Sequence, residues 1–249
     1  MSGHSKWKTT KHKKAITDNK RASVWTKLIR EITVAAKAGG GDPSGNARLR
    51  KAIDDGRSAN MPNENIERAI KKGTGELEGA SYEEFTYEGY GPGGAAMLIE
   101  GSTDNANRTV AEVRHAFSRN NGNLGASNSV AWMFEKKGQI LLPLGTKPED
   151  QVMEDALDAG ASDFEADGEY FVVTTEPNTF HAVIEALKKK GYTPESSEIE
   201  MVPKTMVKLE PADAQKLLKL VDALEELEDV ANVFTNLDLD TVDLEEAGT

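Results

Sequence analysis

Lys6, Lys8, Lys11, Lys13, Lys14 and Lys20, with Arg21, surround Trp7 in a stretch whose one carboxylate before Glu31 is Asp18. Cations at this density attract a polyanion: each one set against a phosphate releases condensed counterions, and an indole can stack on an unpaired base. The same residues would also suit a solvated basic terminus that serves only solubility. The charge of the remaining chain favours the polyanion. Residues 1–75 hold 17 Lys and Arg against 7 Asp and Glu, whereas residues 76–249 hold 13 against 35, so the formal −12 joins a +10 segment to a −22 body. Segregation on that scale is the electrostatic footprint of nucleic-acid binding. Arg48, Arg50, Arg57, Arg68, Lys71 and Lys72 would extend the basic face beyond the arm.

Other chemistries find less support. Gly89-Tyr90-Gly91-Pro92-Gly93-Gly94 matches G-x-G-x-x-G, but a strand-like AAMLIE follows where a dinucleotide site needs a helix, so a hairpin turn is expected. The chain has no cysteine, which excludes disulfides, thiol nucleophiles and thiolate-held zinc. His4, His12, His115 and His181 lack partners at ligand spacing, and Asp54 and Asp55 point about 100° apart on a helix, so no metal, cofactor or catalytic set is expected. Two polar segments invite a role. Thr103 to Thr109 opens a helix, where free amides favour anions and where Thr or Asp also serves as an ordinary cap. Residues 120–129 make a ten-residue loop with almost nothing to bury, functional or simply connecting. Arg108, Arg114 and Arg119 lie between them and could add a weak phosphate contact.

The elements that must position these residues follow from periodicity. Up to about Ala22 the arm has no apolar face to bury, and the pattern then turns helical, with Val24, Leu28, Ile32 and Ala35 as a stripe that Trp25 and Ile29 widen and that Gly39 to Gly41 end. Asp42-Pro43 reads as the cap and first position of a second helix with Leu49, Ala52 and Ile53 inward. Met61-Pro62 opens a third, with Ile66, Ala69 and Ile70 inward and Arg68, Lys71 and Lys72 outward. Past the linker the period becomes two: paired strands flank GYGPGG, a helix from about Asn105 turns Val110, Val113 and Phe117 inward, and Val130 to Phe134 is a third strand. From Gln139 the order is β-α-β-β-α-β, a ferredoxin-like unit. A strand over 206–209, a helix over 211–226 and a strand over 230–236 then need the earlier strands for a sheet.

This organisation is α+β. We read a basic arm (1–22), a three-helix domain (23–75), a discontinuous α+β domain (82–135 plus 204–240) and a ferredoxin-like domain (136–203) inserted in it, the inserted pair forming a rigid frame with the basic bundle on one tether. No apolar run is long enough to span a bilayer, and the Lys-rich start is neither a secretory signal nor an Arg-rich transit helix, so a cytoplasmic location without membrane attachment is expected.

Four stretches, GHSKWKTTKHKK, MPNENIERAIKKGTGE, YEGYGPGGAAMLIEGSTDNANRT and NGNLGASNSVAWMFEKKG, resemble the YebC/PmpR family in order and over nearly the whole chain. Asn121 and Asn128 stand where that family commonly has glycine, and Asn tolerates left-handed backbone better than most residues. The resemblance implies three domains, helical and then twice ferredoxin-like, and a non-enzymatic cytosolic role described as DNA-binding transcriptional regulation. It also implies an alternative, since some members resemble ribosome-associated factors that help translation through proline runs, and organellar relatives include a mitochondrial translational activator.

The leading expectation is a nucleic-acid-binding regulator in which Lys6, Trp7, Lys8, Lys11, Lys13, Lys14, Lys20 and Arg21 grip phosphates, with no cofactor and with the acidic domains open to a protein partner such as polymerase or ribosome. Ribosomal RNA as the polyanion is the second reading, and an enzyme using an inter-domain cleft is the third.

Overall fold

The computed structural model describes residues 21–79 and 81–238, with side chains from residue 24 onward. Lys6, Trp7, Lys8, Lys11, Lys13, Lys14, Lys20, the side chain of Arg21 and the acidic end from residue 239 lie outside the described residues. The fold is α+β: N-terminal helices precede two four-stranded sheets, and the described chain divides into one compact unit of residues 21–129 and 215–233 and another of 130–214 and 234–238.

Three helices open the first unit: α1 (Arg21–Gly39), α2 (Ala47–Ser58) and α3 (Asn63–Gly73). Ile32, Ala35 and Ala36 of α1, Leu49, Ala52 and Ile53 of α2, and Ile66 and Ala69 of α3 converge with Met61 into one apolar core. Trp25 packs on its edge while its indole N–H donates to the Ala59 carbonyl at 2.9 Å. Val24, expected inward, is 40% exposed. The second helix begins later than expected, because Asn46 and not Asp42 is its cap. The Asn46 side chain accepts the Leu49 amide at 3.0 Å and donates to the Ala35 and Gly40 carbonyls, tying the end of α1 to the start of α2. Asp42 instead closes a tight turn on the Ser44 amide and hydroxyl. α1 and α3 pack closely at Gly73, where a Cβ would overlap the Thr33 carbonyl oxygen and the Ala36 methyl.

The first sheet has the order β3-β1-β2-β8, built from β1 (Glu83–Tyr90), β2 (Ala96–Thr103), β3 (Asn123–Leu124) and β8 (Val230–Thr235). β1 and β2 form an antiparallel hairpin in register from Glu83↔Thr103 to Tyr90↔Ala96. Ala96, Met97, Leu98 and Ile99 are all buried, as a central strand covered on both faces requires. Helix α4 (Ala106–Arg119) packs Phe117 against this sheet so tightly that a Cβ at Gly89 would overlap its ring. Of the inner positions expected on α4, Val113 and Phe117 are buried, but Thr109 takes the place assigned to Val110.

In the second unit β4 (Phe134–Pro143), β5 (Asp163–Asp167), β6 (Tyr170–Thr175) and β7 (Ser196–Pro203) form an antiparallel sheet of order β5-β6-β4-β7. With α5 (Glu149–Asp158) and α6 (Phe180–Lys189) this is the β-α-β-β-α-β order of a ferredoxin-like sheet. Ile140, Leu142, Phe171 and Val173 meet Val152, Ala156, Phe180, Val183 and Leu187 in its core. Buried Asp155 accepts from Lys190 and the Tyr192 hydroxyl, each at 2.7 Å, and from Lys147 at 3.1 Å. The Lys190 bond, then that of Tyr192, holds the Asp155 carboxyl well below the usual carboxylate range, while burial and then Asp155 push the Tyr192 phenol up to about 12.

Two strand expectations are corrected here. Residues 131–133 form a 3-10 turn, and the strand begins at Phe134 and runs on unbroken through Gln139, because Glu135 to Leu141 pair in register with Val202 to Ser196. Residues 206–209 form no strand. Only Val207 bridges to Leu237, after which helix α7 (Pro211–Glu225) leads into β8.

Substituting Gly73→Ala is expected to destabilise the chain by about 1–3 kcal/mol through overpacking between α1 and α3, read as a lower midpoint in chemical denaturation.

Candidate nucleic-acid interface

With Ile66, Ala69 and Ile70 marking one face of α3, Arg68, Lys71 and Lys72 each lie more than about 100° around the helix from the centre of that face and are exposed. Among the described residues none of these three has an ion-pair partner, and they stand on one short helix. The α2 arginines differ. Arg48 is clamped by Glu31, at 2.7 and 3.1 Å, and by Glu84 at 2.7 Å, the Glu31 bond foremost in raising its guanidinium pKa. Arg50 donates to the Pro43 and Ser44 carbonyls at 3.0 and 3.1 Å and has no carboxylate partner among the described residues. Arg57 lies 3.7 Å from Asp54, a loose pair exposed on both sides. The six expected cations of the bundle therefore divide into one neutralised, one loosely paired and four unneutralised.

A second set of arginines, unexpected from the sequence, organises the unit's interior. Asp229, at the turn between α7 and β8, is 2% exposed. Arg30 of α1 reaches it with Nη1 and also donates to Glu228 Oε2 at 3.2 Å, its guanidinium lying 5.3 Å from the Tyr82 ring centroid. The other Asp229 oxygen accepts from Arg108 Nη2 at 2.7 Å and lies 2.5 Å from Thr109 Oγ1 and 3.2 Å from Thr103 Oγ1. Burial alone would push the Asp229 carboxyl up, but hydrogen bonds from Arg108, Thr109 and Arg30 outweigh it and hold the group below its ordinary value. Burial and then this charge push the Tyr87 phenol up.

The polar start of α4 is thereby explained. Asn105 caps the helix by accepting the Arg108 amide at 3.1 Å, and Thr103, Arg108 and Thr109 surround the carboxylate of the chain itself. Arg108, though exposed on one side, is committed to Asp229 and Asp104, leaving Arg114 and Arg119 as the exposed arginines of α4 without an ion pair among the described residues. Further links fasten the bundle to the rest of its unit: Lys27 to the Glu225 carbonyl at the end of α7, Lys37 to the Tyr82 carbonyl just before β1 at 3.2 Å, and Arg48 to Glu84 of β1. The expectation of a bundle on a single tether is corrected by these contacts.

The segment 120–129 is not a plain loop. Asn123 and Leu124 pair with Tyr90 and Gly89, and the Gly125 amide donates to the Glu88 carbonyl at 2.7 Å. The Asn128 amide donates to the buried Glu88 carboxylate at 2.6 Å. Asn121 and Asn128 take φ of 59° and 65°, the left-handed conformation that Asn accommodates. Residues 92–94 form a 3-10 turn that leads straight into strand β2, so the G-x-G-x-x-G match is a hairpin connection. Among the described residues no group of three or more His, Asp or Glu is placed to hold a metal ion, and no helix is long and apolar enough to cross a membrane.

Two family models match this chain, the TACO1/YebC protein N-terminal domain over residues 5–76 and the TACO1/YebC second and third domain over residues 82–237. The chain belongs to the TACO1/YebC family. It is 57% identical over 245 residues to a relative from Geobacter sulfurreducens named "probable transcriptional regulatory protein", covering 98% of this chain and 99% of that one. A relative of the same description from Chlorobaculum tepidum is 56% identical over 240 residues, 96% of each chain. The crystal structure of a conserved hypothetical protein from Aquifex aeolicus is similar at a TM-score of 0.82 and 47% identity, over 90% of this chain and 93% of that one. In this TACO1/YebC chain the boundary between the two family models falls where the helical bundle gives way to β1.

Substituting Asp229→Asn leaves Arg30 buried beside a neutral group and is expected to cost about 3–5 kcal/mol in chemical denaturation. Because folding lowers the pKa of Asp229, the stabilisation is complete above the unfolded value of about 4 and drains away as pH falls through the folded value. The wild type is therefore expected to lose more stability than Asp229→Asn between neutral pH and about pH 3.

Proposed function

We propose that this chain is a nucleic-acid-binding regulatory protein, with DNA-binding transcriptional regulation as the leading reading. The observation that carries it is the opposition of a +10 segment to a −22 body, with Arg68, Lys71 and Lys72 unneutralised on the outer face of α3. The relatives named as transcriptional regulatory proteins support the regulatory part. In this reading Lys6, Trp7, Lys8, Lys11, Lys13, Lys14, Lys20 and Arg21 grip the phosphates and Arg50, Arg57, Arg68, Lys71 and Lys72 extend the grip. Arg48 contributes by holding the bundle to β1, since its charge is balanced by Glu31 and Glu84. The acidic part repels the polyanion, orients the molecule and leaves its surface to a protein partner. The role is binding, not catalysis, and the setting is cytoplasmic.

Ribosomal RNA is the second reading. The available cations of the bundle sit on two short helices of 12 and 11 residues, not along one projecting helix that could enter a major groove. RNA recognised by shape and by unstacked bases suits such a surface.

The test compares a 20-base-pair DNA duplex with a folded ribosomal RNA fragment across a salt series. Deleting residues 1–22 is expected to weaken binding at least tenfold. Replacing Arg68, Lys71 and Lys72 together by Gln is expected to reduce the slope of log affinity against log salt by about three. Binding that ignores both changes and is flat against salt would overturn both readings. Co-sedimentation with ribosomes at the salt used for the duplex separates them.

A further inference from the structure

Arg50, Ile53, Asp54 and Arg57 fall at i, i+3, i+4 and i+7 of α2 and therefore share one face. Opposite them stand Pro43 and Ser44, held in place by the turn that Asp42 closes with 2.9 and 2.7 Å bonds to the Ser44 amide and hydroxyl. Together the six residues enclose an open recess of about 250 Å³.

Its chemistry is mixed in an informative way. Pro43 gives it aliphatic surface, and the small exposed edge of the core residue Ile53, 6% of the residue, forms its floor. The Arg50 guanidinium is fastened by Nε to the Pro43 carbonyl at 3.0 Å and by Nη2 to the Ser44 carbonyl at 3.1 Å, so its plane is fixed while its other N–H groups stay available. Arg57 brings a second planar cation and Asp54 a carboxylate acceptor. A bare phosphate would gain nothing from the aliphatic wall and would be repelled by Asp54. The volume is below the roughly 300–1,000 Å³ usual for small-molecule pockets, which suits one planar ring system. Guanidinium planes, an aliphatic support and hydrogen-bonding groups at the rim are how proteins hold a base taken out of its stack.

Resting on the nucleic-acid reading above, we propose that this recess between α2 and the 42–44 turn receives an unstacked nucleobase, making the bundle a single-strand reader beside its phosphate-binding cations. A duplex keeps its bases stacked and cannot fill the recess. Single-stranded RNA or the unpaired loop of a folded RNA can.

The experiment measures binding of a fluorescent 12-nucleotide single-stranded RNA of A and C, and of the same sequence in a duplex, to the full chain at one salt concentration. The double variant Arg50→Lys, Arg57→Lys keeps both charges but removes both planes, and the ratio of the two affinities separates loss of a base contact from any loss of phosphate attraction, which lowers both. The ratio of single-strand to duplex affinity is expected to fall about tenfold, the scale of losing one base stack. An unaltered ratio, whether both affinities hold or both fall together, would overturn the recess while leaving the nucleic-acid reading in place. A wild type that binds neither strand would overturn both. Circular dichroism melts check folding, and should the double variant melt early, Arg57→Lys alone, on an exposed side chain, is expected to lower the ratio about threefold.

Discussion

A single buried carboxylate, Asp229, holds three distant stretches of the chain together. Arg30 approaches it from the first helix, Thr103, Arg108 and Thr109 from the end of β2 and the start of α4, and Asp229 itself precedes β8. A charge removed from water is tolerated only when it is paired and its oxygens are hydrogen-bonded, so these residues must arrive together or not at all. β2 complies by having Gly101 where a side chain would strike the Asp229 carbonyl, and the Ser102 amide donates to that same carbonyl at 3.0 Å. Helical bundle and sheet thus belong to one unit because of a constraint that is electrostatic and steric at once.

That constraint changes how the positive charge of the bundle is counted. Arg30 and Arg48 are cations in the composition but counter-charges in the structure, and Lys51 is paired with Asp55 at 2.7 Å. The field that reaches solvent from the described bundle comes mainly from Arg50, Arg57, Arg68, Lys71 and Lys72 on α2 and α3, with Lys37 at the end of α1. Arg30–Asp229 and Arg48–Glu84 draw on carboxylates outside residues 1–75, so the net of +10 exceeds the charge that segment can offer to solvent.

What was legible in the sequence were elements whose pattern is local. The helix ending at Gly39, the helix after Met61-Pro62, the hairpin around residues 91–95 and the β-α-β-β-α-β order all follow from periodicity and turn residues within a few positions of one another. What was not legible depends on partners far away in sequence. Thr109 displaces Val110 from the inner face of α4 because a carboxylate 120 residues later needs its hydroxyl. Asn46 outcompetes Asp42 as a cap because its amide also reaches the Ala35 carbonyl of the preceding helix. Asn123 and Leu124 make a strand of only two residues, too short for alternation to announce, defined by the edge of β1 that they cover.

The distinction bears on the candidate interface itself. Four of the bundle cations expected at the interface carry no internal carboxylate, and the positions of three could be read from helical phase alone: Arg68, Lys71 and Lys72 lie opposite the face that Ile66, Ala69 and Ile70 mark. The arginines that proved structural, Arg30 and Arg108, could not be told from them by residue type, since an arginine is equally fit to meet a phosphate or a buried carboxylate. The difference lies in what faces each one. A carboxylate already committed to an arginine makes that arginine a poor phosphate ligand, because binding the polyanion would strand the carboxylate unpaired in a buried site, and this holds for Arg30 far more than for half-exposed Arg48. Burial of the partner carboxylate, more than exposure of the cation, is therefore what separates the framework from the gripping surface.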